Sequence, residues 1–361
     1  MQEDMHYHGV YVLARAAGIK AEAALIVASA SQFVDDLSGT AGAGAHVEIT
    51  FEDGGSILSR PTAHHVAQTQ NLNPRDQRQV WVPFHFLPAA EGENYLQRLV
   101  CRKDSATAQE MIARHETYFE RPFGLALAGI AAHVYADTFS HYGFSGIRSP
   151  YNRIDNSNIT LENVEGELLH YLQGKERSFW EKFKSCCENI GAAVGETISG
   201  ALGHGGAATH PDRPYLRWSF TFEETQARER RNNPETFLEG CEKLHDLFTR
   251  LAQARPQDAD GQERPFPEIK DKVKAVIETQ GRLKDRIAAW KAAARSGDVC
   301  ESGKIPKYLG GKWNDQLEAF DNTEHSSKAL GHPAYLFLQA ASMHRNYVLR
   351  ELLPAHGLVV A

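Results

Sequence analysis

The sequence has no long apolar run, no paired cysteines and no excess of positive charge, and each lack removes a class of protein. Its 361 residues include five cysteines, Cys101, Cys186, Cys187, Cys241 and Cys300, an odd number without a Cys-x-x-Cys pair. Adjacent Cys186 and Cys187 make a poor disulfide. Neither a disulfide scaffold nor a sulfur-based zinc site is expected, and the thiols read as small core residues of a reducing compartment. The formal net charge of -7 disfavours a chain that coats nucleic acid or a membrane surface, because both need a basic face. The opening MQEDMHYHGV has acids where an export signal has lysine or arginine, and AEAALIVASASQFV is too short and interrupted to span a bilayer. We therefore expect a cytoplasmic protein with no stable membrane insertion, with export by a dedicated secretion system as the one route left open.

What the chain has instead is histidine, 17 in all, so placement must decide which of them matter. The 42% hydrophobic content suits a globular core. Apolar spacing predicts two helices in 4–37, broken at Gly18, and a small β-hairpin through HVEITF and ILSR around EDGGS. Residues 61–100 read as mostly irregular. Helices are expected through TAQEMIARHETYFE, FGLALAGIAAHVYADTFSH, the segment that starts at ENVEGELLHYL, PETFLEGCEKLHDLFTRLAQA, a long one over 269–294, and GHPAYLFLQAASMHRNYVLREL. QARERRNN reads as a solvated charged face. The fold class is mainly α with a small β-hairpin insertion. Residues 1–253 read as a helical metal-binding domain, 254–267 as a linker-like loop, and 268–361 as C-terminal helices packing on the same domain.

The informative stretch is HVYADTFSH. Helical positions i, i+4 and i+8 drift by only about 40° per step, so His133, Asp137 and His141 share one face. Their helix is Ala/Leu/Ile-rich on nearly every side, which predicts burial. A buried carboxylate between two imidazoles is costly unless compensated, and a divalent metal compensates it with ordinary ligands. The alternative is a hydrogen-bonded polar network without metal. Further candidates are Asp4 and His6 at the start of the chain, Asp35 and Asp36 at a helix end, His64 and His65, His85 in VPFHFLP, His204 between glycines, and Asp212. Asp4 reads equally as a helix cap, and one of Asp35 and Asp36 as solvated. One of His64 and His65 falls outside the first coordination sphere. His170, His245, His325 and His344 lack acidic partners at ligand spacing and read as structural.

DMHYHG, ASQFVDD, FHFLP, HVYADTFSHYGFSG and GHGG…PDRPYLRW resemble an uncharacterised bacterial family distantly related to zinc-dependent phospholipase C. The order of donors also resembles that phospholipase and the single-strand nucleases that share its helical, trinuclear-zinc fold. The likeness spans about residues 1–222. It implies a helical bundle in which Asp137 bridges two ions. His133, an acid from Asp35–Asp36 with Asp36 preferred, and His64 or His85 would hold the first ion. His141, His204 and Asp212 would hold the second, and His6 the third. The processed amine that serves as a ligand in those exported enzymes is not expected here, since the chain opens on Met1; Asp4 would substitute for it. The cofactor expected is Zn²⁺, or Mn²⁺ or another divalent ion, in two or three copies.

Clustered divalent ions suit phosphodiester hydrolysis. The expected substrate is a phosphodiester-containing small molecule, a phospholipid, or a nucleotide or nucleic acid. Asp36, or its neighbour Asp35, would take a proton from the attacking water. Arg213, or Arg148, would pair with phosphate oxygens. The alternative is a non-catalytic or sensory metal-binding helical protein that acts through a protein partner.

Overall fold

The computed structural model describes every residue except 39–46, 53, 65–70, 72, 189–201, 321–326, 328 and 361. A π-helical stretch, Asp4–Gly9, runs into α1 (Val10–Ala16), and α2 (Ala21–Asp36) follows after the Gly18 turn. Next come β1 (Glu48–Thr50), β2 (Ser56–Leu58), α3 (Pro74–Phe84), α4 (Tyr95–Arg98), α5 (Ala106–Glu116) and α6 (Gly124–His141). The chain continues with β3 (Thr160–Leu161), α7 (Gly166–Glu188), β4 (Arg217–Thr221), β5 (Arg228–Asn232) and α8 (Asn233–Ala254). It closes with α9 (Phe266–Ile277), α10 (Leu283–Ser296), α11 (Gly310–Phe320), α12 (Pro333–Tyr347) and α13 (Leu353–Ala355). The protein is mainly helical, with two small antiparallel sheets: the expected β1–β2 hairpin, and a three-stranded sheet in the order β3–β4–β5. No helix among the described residues is long and apolar enough to cross a membrane.

Helix α6 is the axis of the fold, and every one of its residues is buried. Small residues allow this. A side chain at Gly129 would stand 2.3 Å from the Val27 carbonyl oxygen and 2.6 Å from Ala30 Cβ, so only glycine lets α2 lie this close. Alanines at 126, 128, 131, 132 and 136 keep the other flanks thin, and α5, α8 and α12 pack there as well. The main core runs from Met1 to Val360. A second cluster, around Phe86, Phe144, Trp218 and Phe220, fills the space behind the three-stranded sheet. His141, whose ring stacks on Phe86 at 4.7 Å, marks where α6 meets that second cluster.

The structure sharpens the reading of several segments. The segment 61–100 holds two helices, α3 and α4, among described residues that are otherwise mostly irregular. In α3 the Asn73 side chain caps the backbone N–H of Arg75 at 2.9 Å; the polar PRDQRQ hides the helix because it has no apolar period. The QARERRNN run is largely β5, with Arg228 and Arg230 on the expected solvated face and Arg231 buried, opposite Trp218 in the ladder. The long helix over 269–294 is two helices, broken where Gly281 takes φ +150°. The loop between α8 and α9 is tied to the bundle: Asp260 N–H donates to Gly18 O and Arg264 N–H to Ala16 O, at 2.9 and 2.7 Å.

Candidate metal centre

His133, Asp137 and His141 line one side of α6 and are 0%, 1% and 5% exposed. The Asp137 carboxylate is the hub. Its Oδ2 lies 3.3 Å from His133 Nε2, 3.3 Å from His85 Nδ1 and 3.5 Å from His141 Nδ1. Its Oδ1 lies 3.2 Å from His6 Nε2 and accepts from the Met1 ammonium at 2.6 Å.

Four of the rings have a fixed orientation, because each donates one N–H to a backbone carbonyl. His133 Nδ1 donates to Ser31 O at 2.8 Å, His85 Nε2 to Thr62 O at 2.9 Å, His141 Nδ1 to His85 O at 2.8 Å, and His204 Nδ1 to Ala208 O at 2.9 Å. A carbonyl only accepts, so the bonded nitrogen holds the proton and the other ring nitrogen of the neutral imidazole is a bare lone pair. Those lone pairs converge. His85 Nδ1 and His133 Nε2 stand 3.2 Å apart, with Asp137 Oδ2 3.3 Å from each. Three acceptors without a hydrogen between them repel; a cation among them turns the repulsion into coordination. Tetrahedral bonds of 2.0–2.1 Å put ligand atoms about 3.3 Å apart, which these spacings match.

Among the described residues three groups of donors could hold an ion, each with its ligand atoms within 4.8 Å of one another: His6, His133 and Asp137; Asp35, His85 and His133; His141, His204 and Asp212. In the third, His141 Nε2 is 3.1 Å from Asp212 Oδ1 and His204 Nε2 is 3.6 Å from Asp212 Oδ2. His6 stacks on His133 with centroids 3.8 Å apart, and neither of its buried ring nitrogens has a hydrogen-bond partner. Imidazole and carboxylate donors, with four of the rings braced by backbone carbonyls, suit a divalent ion such as zinc.

The electrostatics agree with that arrangement. Burial pushes the Asp137 carboxyl up, but His141, the Met1 ammonium, His133 and His6 outweigh it and hold the group well below the usual carboxylate range. Asp212 is held down in the same way against its burial, by the Met1 ammonium, His204 and His141. Burial lowers His6 to about 3, helped by His133 and the Met1 ammonium, and lowers His204 to about 4. Both rings are therefore neutral, as ligands must be. Burial alone would lower the Met1 amine, yet Asp137, Asp212 and Asp35 raise it to about 11.

The candidate residues from the sequence divide clearly. His6, His85, His133, Asp137, His141, His204 and Asp212 come together. The helix-end acid that faces His85 and His133 is Asp35, with Oδ1 at 3.8 and 3.9 Å. The preferred Asp36 instead accepts from the Tyr308 hydroxyl at 2.6 Å. His64 turns away to Asp76, at 2.5 Å, and His65 lies outside the described residues. Asp4 is no substitute ligand, because its carboxylate accepts from Arg286 Nε at 2.6 Å. Contrary to expectation, the Met1 amine is at the centre, 3.3 Å from Asp212 Oδ1 as well as beside Asp137. Arg213 is buried next to Asp212 in the chain but belongs to none of the three groups, and Arg148 is exposed. Phe144, Tyr215 and Trp218 are buried core side chains.

The comparisons with known proteins fit a chain whose chemistry must be read from its own residues. Over residues 1–352 it matches the model of DUF6765, a family of unknown function. The chain belongs to that family. No curated protein and no solved structure matches it. The DUF6765 match reaches past residue 222, where the recognisable motifs end, and takes in α8 to α12, including Arg286 in α10. Sequence reasoning missed Arg286 and also Asn233, whose amide Nδ2 donates to the carbonyls of His210 and Arg213 at 2.9 and 2.8 Å. The Ser31–Asp35 spacing was a usable signal. Those positions share a face of α2, and Ser31 O holds His133, whereas Gln32 and Asp36 share the neighbouring face.

Proposed function

We propose that this protein is a metal-dependent hydrolase that cleaves a phosphodiester, with two or three divalent ions, zinc first among them, held around Asp137. The observation that carries the proposal is the convergence of unprotonated imidazole nitrogens on two buried carboxylates, those of His85 and His133 on Asp137 and those of His141 and His204 on Asp212, with the other nitrogens fixed by backbone carbonyls. The order of the histidine and aspartate donors along the chain supports the resemblance to zinc-dependent phospholipase C, and the Met1 ammonium stands beside Asp137 and Asp212. Divalent ions at such a centre supply Lewis acidity toward phosphoryl oxygens and bring the pKa of water toward neutrality.

The chain's own residues divide the remaining work. Asp35, 31% exposed on its side chain where its neighbours are nearly sealed, takes the proton of the attacking water as general base. His204, 18% exposed, marks a second accessible point, on the Asp212 side. Asp137 stays ionised because its neighbours hold its carboxyl down, so it would be available as a carboxylate donor at neutral pH.

The test is elemental mass spectrometry on untagged protein, paired with hydrolysis of bis(p-nitrophenyl) phosphate. We expect two or three metals per wild-type chain and turnover that stops on chelation. Asp137→Ala and His133→Ala should lose both metal and turnover while keeping their helical circular dichroism. Metal retained without hydrolysis of any phosphodiester would favour the structural or sensory role. No metal after reconstitution would leave a buried polar network and end the hydrolase reading.

A further inference from the structure

Five arginines are buried: Arg15, Arg213, Arg231, Arg286 and Arg345. Four donate to a carboxylate or to a backbone carbonyl. Arg15 pairs with Asp260 and Glu301, and Arg286 with Asp4. Arg231 stacks on the Tyr142 ring at 3.4 Å and donates to the Tyr142 carbonyl at 2.6 Å. Arg345 donates to the carbonyls of Gln79 and Pro61. Arg213 is the exception. It is 3% exposed, donates to the neutral Thr209 hydroxyl at 3.0 Å and lies beside the neutral Tyr215 hydroxyl, and its buried Nε, like that of Arg231, has no partner. Among the described residues no carboxylate lies within ion-pair distance of it. A buried guanidinium left in this state keeps its desolvation cost uncompensated, which an anion relieves.

Its surroundings point the same way. Arg213 lies 5.7 Å from the centre of the Tyr171 ring, and Arg282 lies over that same ring at 4.8 Å. Two guanidiniums that share one aromatic ring repel each other until a negative charge joins them. His210, three residues before Arg213, is 1% exposed, with both ring nitrogens buried and unpartnered; Glu176 Oε2 is 3.6 Å away. Asn233 holds the main chain of this turn through the His210 and Arg213 carbonyls. Between the two side chains in sequence stands Asp212, a donor of the third group.

We propose that Arg213, with His210, Tyr171 and Arg282, forms an anion-binding subsite next to the metal centre, and that its ligand is a phosphate group. The planar fork of Arg213 suits two phosphate oxygens, Arg282 adds charge, and His210 donates or accepts according to its tautomer. That this phosphate belongs to the substrate, as a second anionic group beyond the scissile diester, rests on the hydrolase reading. The affinity for phosphate does not.

The experiment is calorimetric titration of the full chain with inorganic phosphate, as purified and after chelation, for wild type, Arg213→Gln, Arg213→Lys and Asp137→Asn. We expect one phosphate site that survives both chelation and Asp137→Asn, and that weakens about tenfold or more in Arg213→Gln. Arg213→Lys keeps the charge without the fork and should fall between the two; it carries the comparison if Arg213→Gln does not fold. Equal affinity in the Arg213 variants and wild type, or no phosphate bound by wild type, overturns the subsite. The metal-loaded chain then separates the sources of the ligand. For a substrate-borne phosphate, a thymidine dinucleotide with a 5′ phosphate has a lower KM than its unphosphorylated counterpart, and Arg213→Gln removes the difference. Equal KM values in wild type overturn the substrate assignment and leave free phosphate as the ligand. If no phosphodiester is cleaved, the hydrolase reading fails while the calorimetric result stands.

Discussion

Arg286 and Asp4 form a buried ion pair across 282 residues of chain, Nε to Oδ2 at 2.6 Å, with side chains 1% and 0% exposed. Arg286 also donates to Gln2 and to Gly281 O. A helix from the last quarter of the protein thus fixes the segment that brings Met1 and His6 to Asp137. Arg286→Met leaves Asp4 as an unpaired buried charge, and the expected loss is about 3–5 kcal/mol in urea unfolding. The double exchange Asp4→Leu with Arg286→Met removes both charges and should recover most of it. Equal instability of the single and double variants would locate the effect in packing rather than in the ion pair. Because the pair positions His6, Arg286→Met should also hold less metal than wild type at matched free zinc.

The adjacent carboxylates at the end of α2 differ sharply in surroundings. Asp35 faces the lone pairs of His85 and His133, while Asp36 is bonded to the Tyr308 hydroxyl. Under the proposed mechanism, Asp35→Asn should lower kcat on a model phosphodiester by about 10²–10⁴-fold, the usual range for a lost general base. Asp36→Asn keeps an acceptor for Tyr308 and should stay within a few-fold of wild type. The reverse ranking would move the base to Asp36.

Outside the metal centre, α5 and α12 share a buried imidazole pair whose titration is readable without metal. His344 Nε2 donates to Pro83 O at 2.8 Å, so its Nδ1 accepts from His115 Nε2 at 2.9 Å. Burial lowers His344 to about 4, and burial with the His344 ring beside it lowers His115 well below its ordinary value. The sign follows directly. Below the ordinary histidine value of 6.5 the unfolded chain binds protons that the folded chain refuses, so stability is full above that pH and falls as pH drops toward 4. His344 alone accounts for a loss on the order of 3 kcal/mol across this window. Chelated protein unfolded in urea at pH 7, 6, 5 and 4.5 should lose stability steadily, and His344→Gln should flatten the slope. An unchanged slope would assign the acid sensitivity to other groups.

How much of this was legible depends on which interactions a period can encode. The His133–Asp137–His141 line was visible because helical spacing alone puts the three on one face, and the all-round apolar sequence implied the burial seen for α6. The hairpin announced itself through alternation around EDGGS. What stayed hidden is set by tertiary contacts. The choice of Asp35 over Asp36 depends on Tyr308, 272 residues from Asp36. His85 faces inward and His64 outward because Thr62 O and Asp76 claim their rings. β5 was misread because its charges dominate the pattern, although Arg231 turns inward onto Tyr142. No local signal pairs Arg286 with Asp4.

The Asn233 side chain sits at the junction of all these parts. Its Nδ2 donates to the His210 and Arg213 carbonyls, and its Oδ1 accepts from the Trp218 indole N–H at 3.2 Å. It thereby ties the start of α8 and strand β4 to the turn that holds Asp212. Asn233→Ala leaves three buried polar groups without this partner, each costing about 1–3 kcal/mol where water cannot reach it. The turn is expected to loosen before the helical bundle does, because α6 keeps its own packing against α2 through Gly129. The loss should therefore fall selectively on the His141–His204–Asp212 group. Metal analysis of Asn233→Ala should show about one equivalent fewer than wild type, with α-helical circular dichroism retained. Asn233→Asp restores the acceptor for Trp218 but not the two donors, and should leave the same metal deficit. If Asn233→Asp instead binds metal like wild type, the Trp218 bond is what holds the turn, and the carbonyl clamp is dispensable.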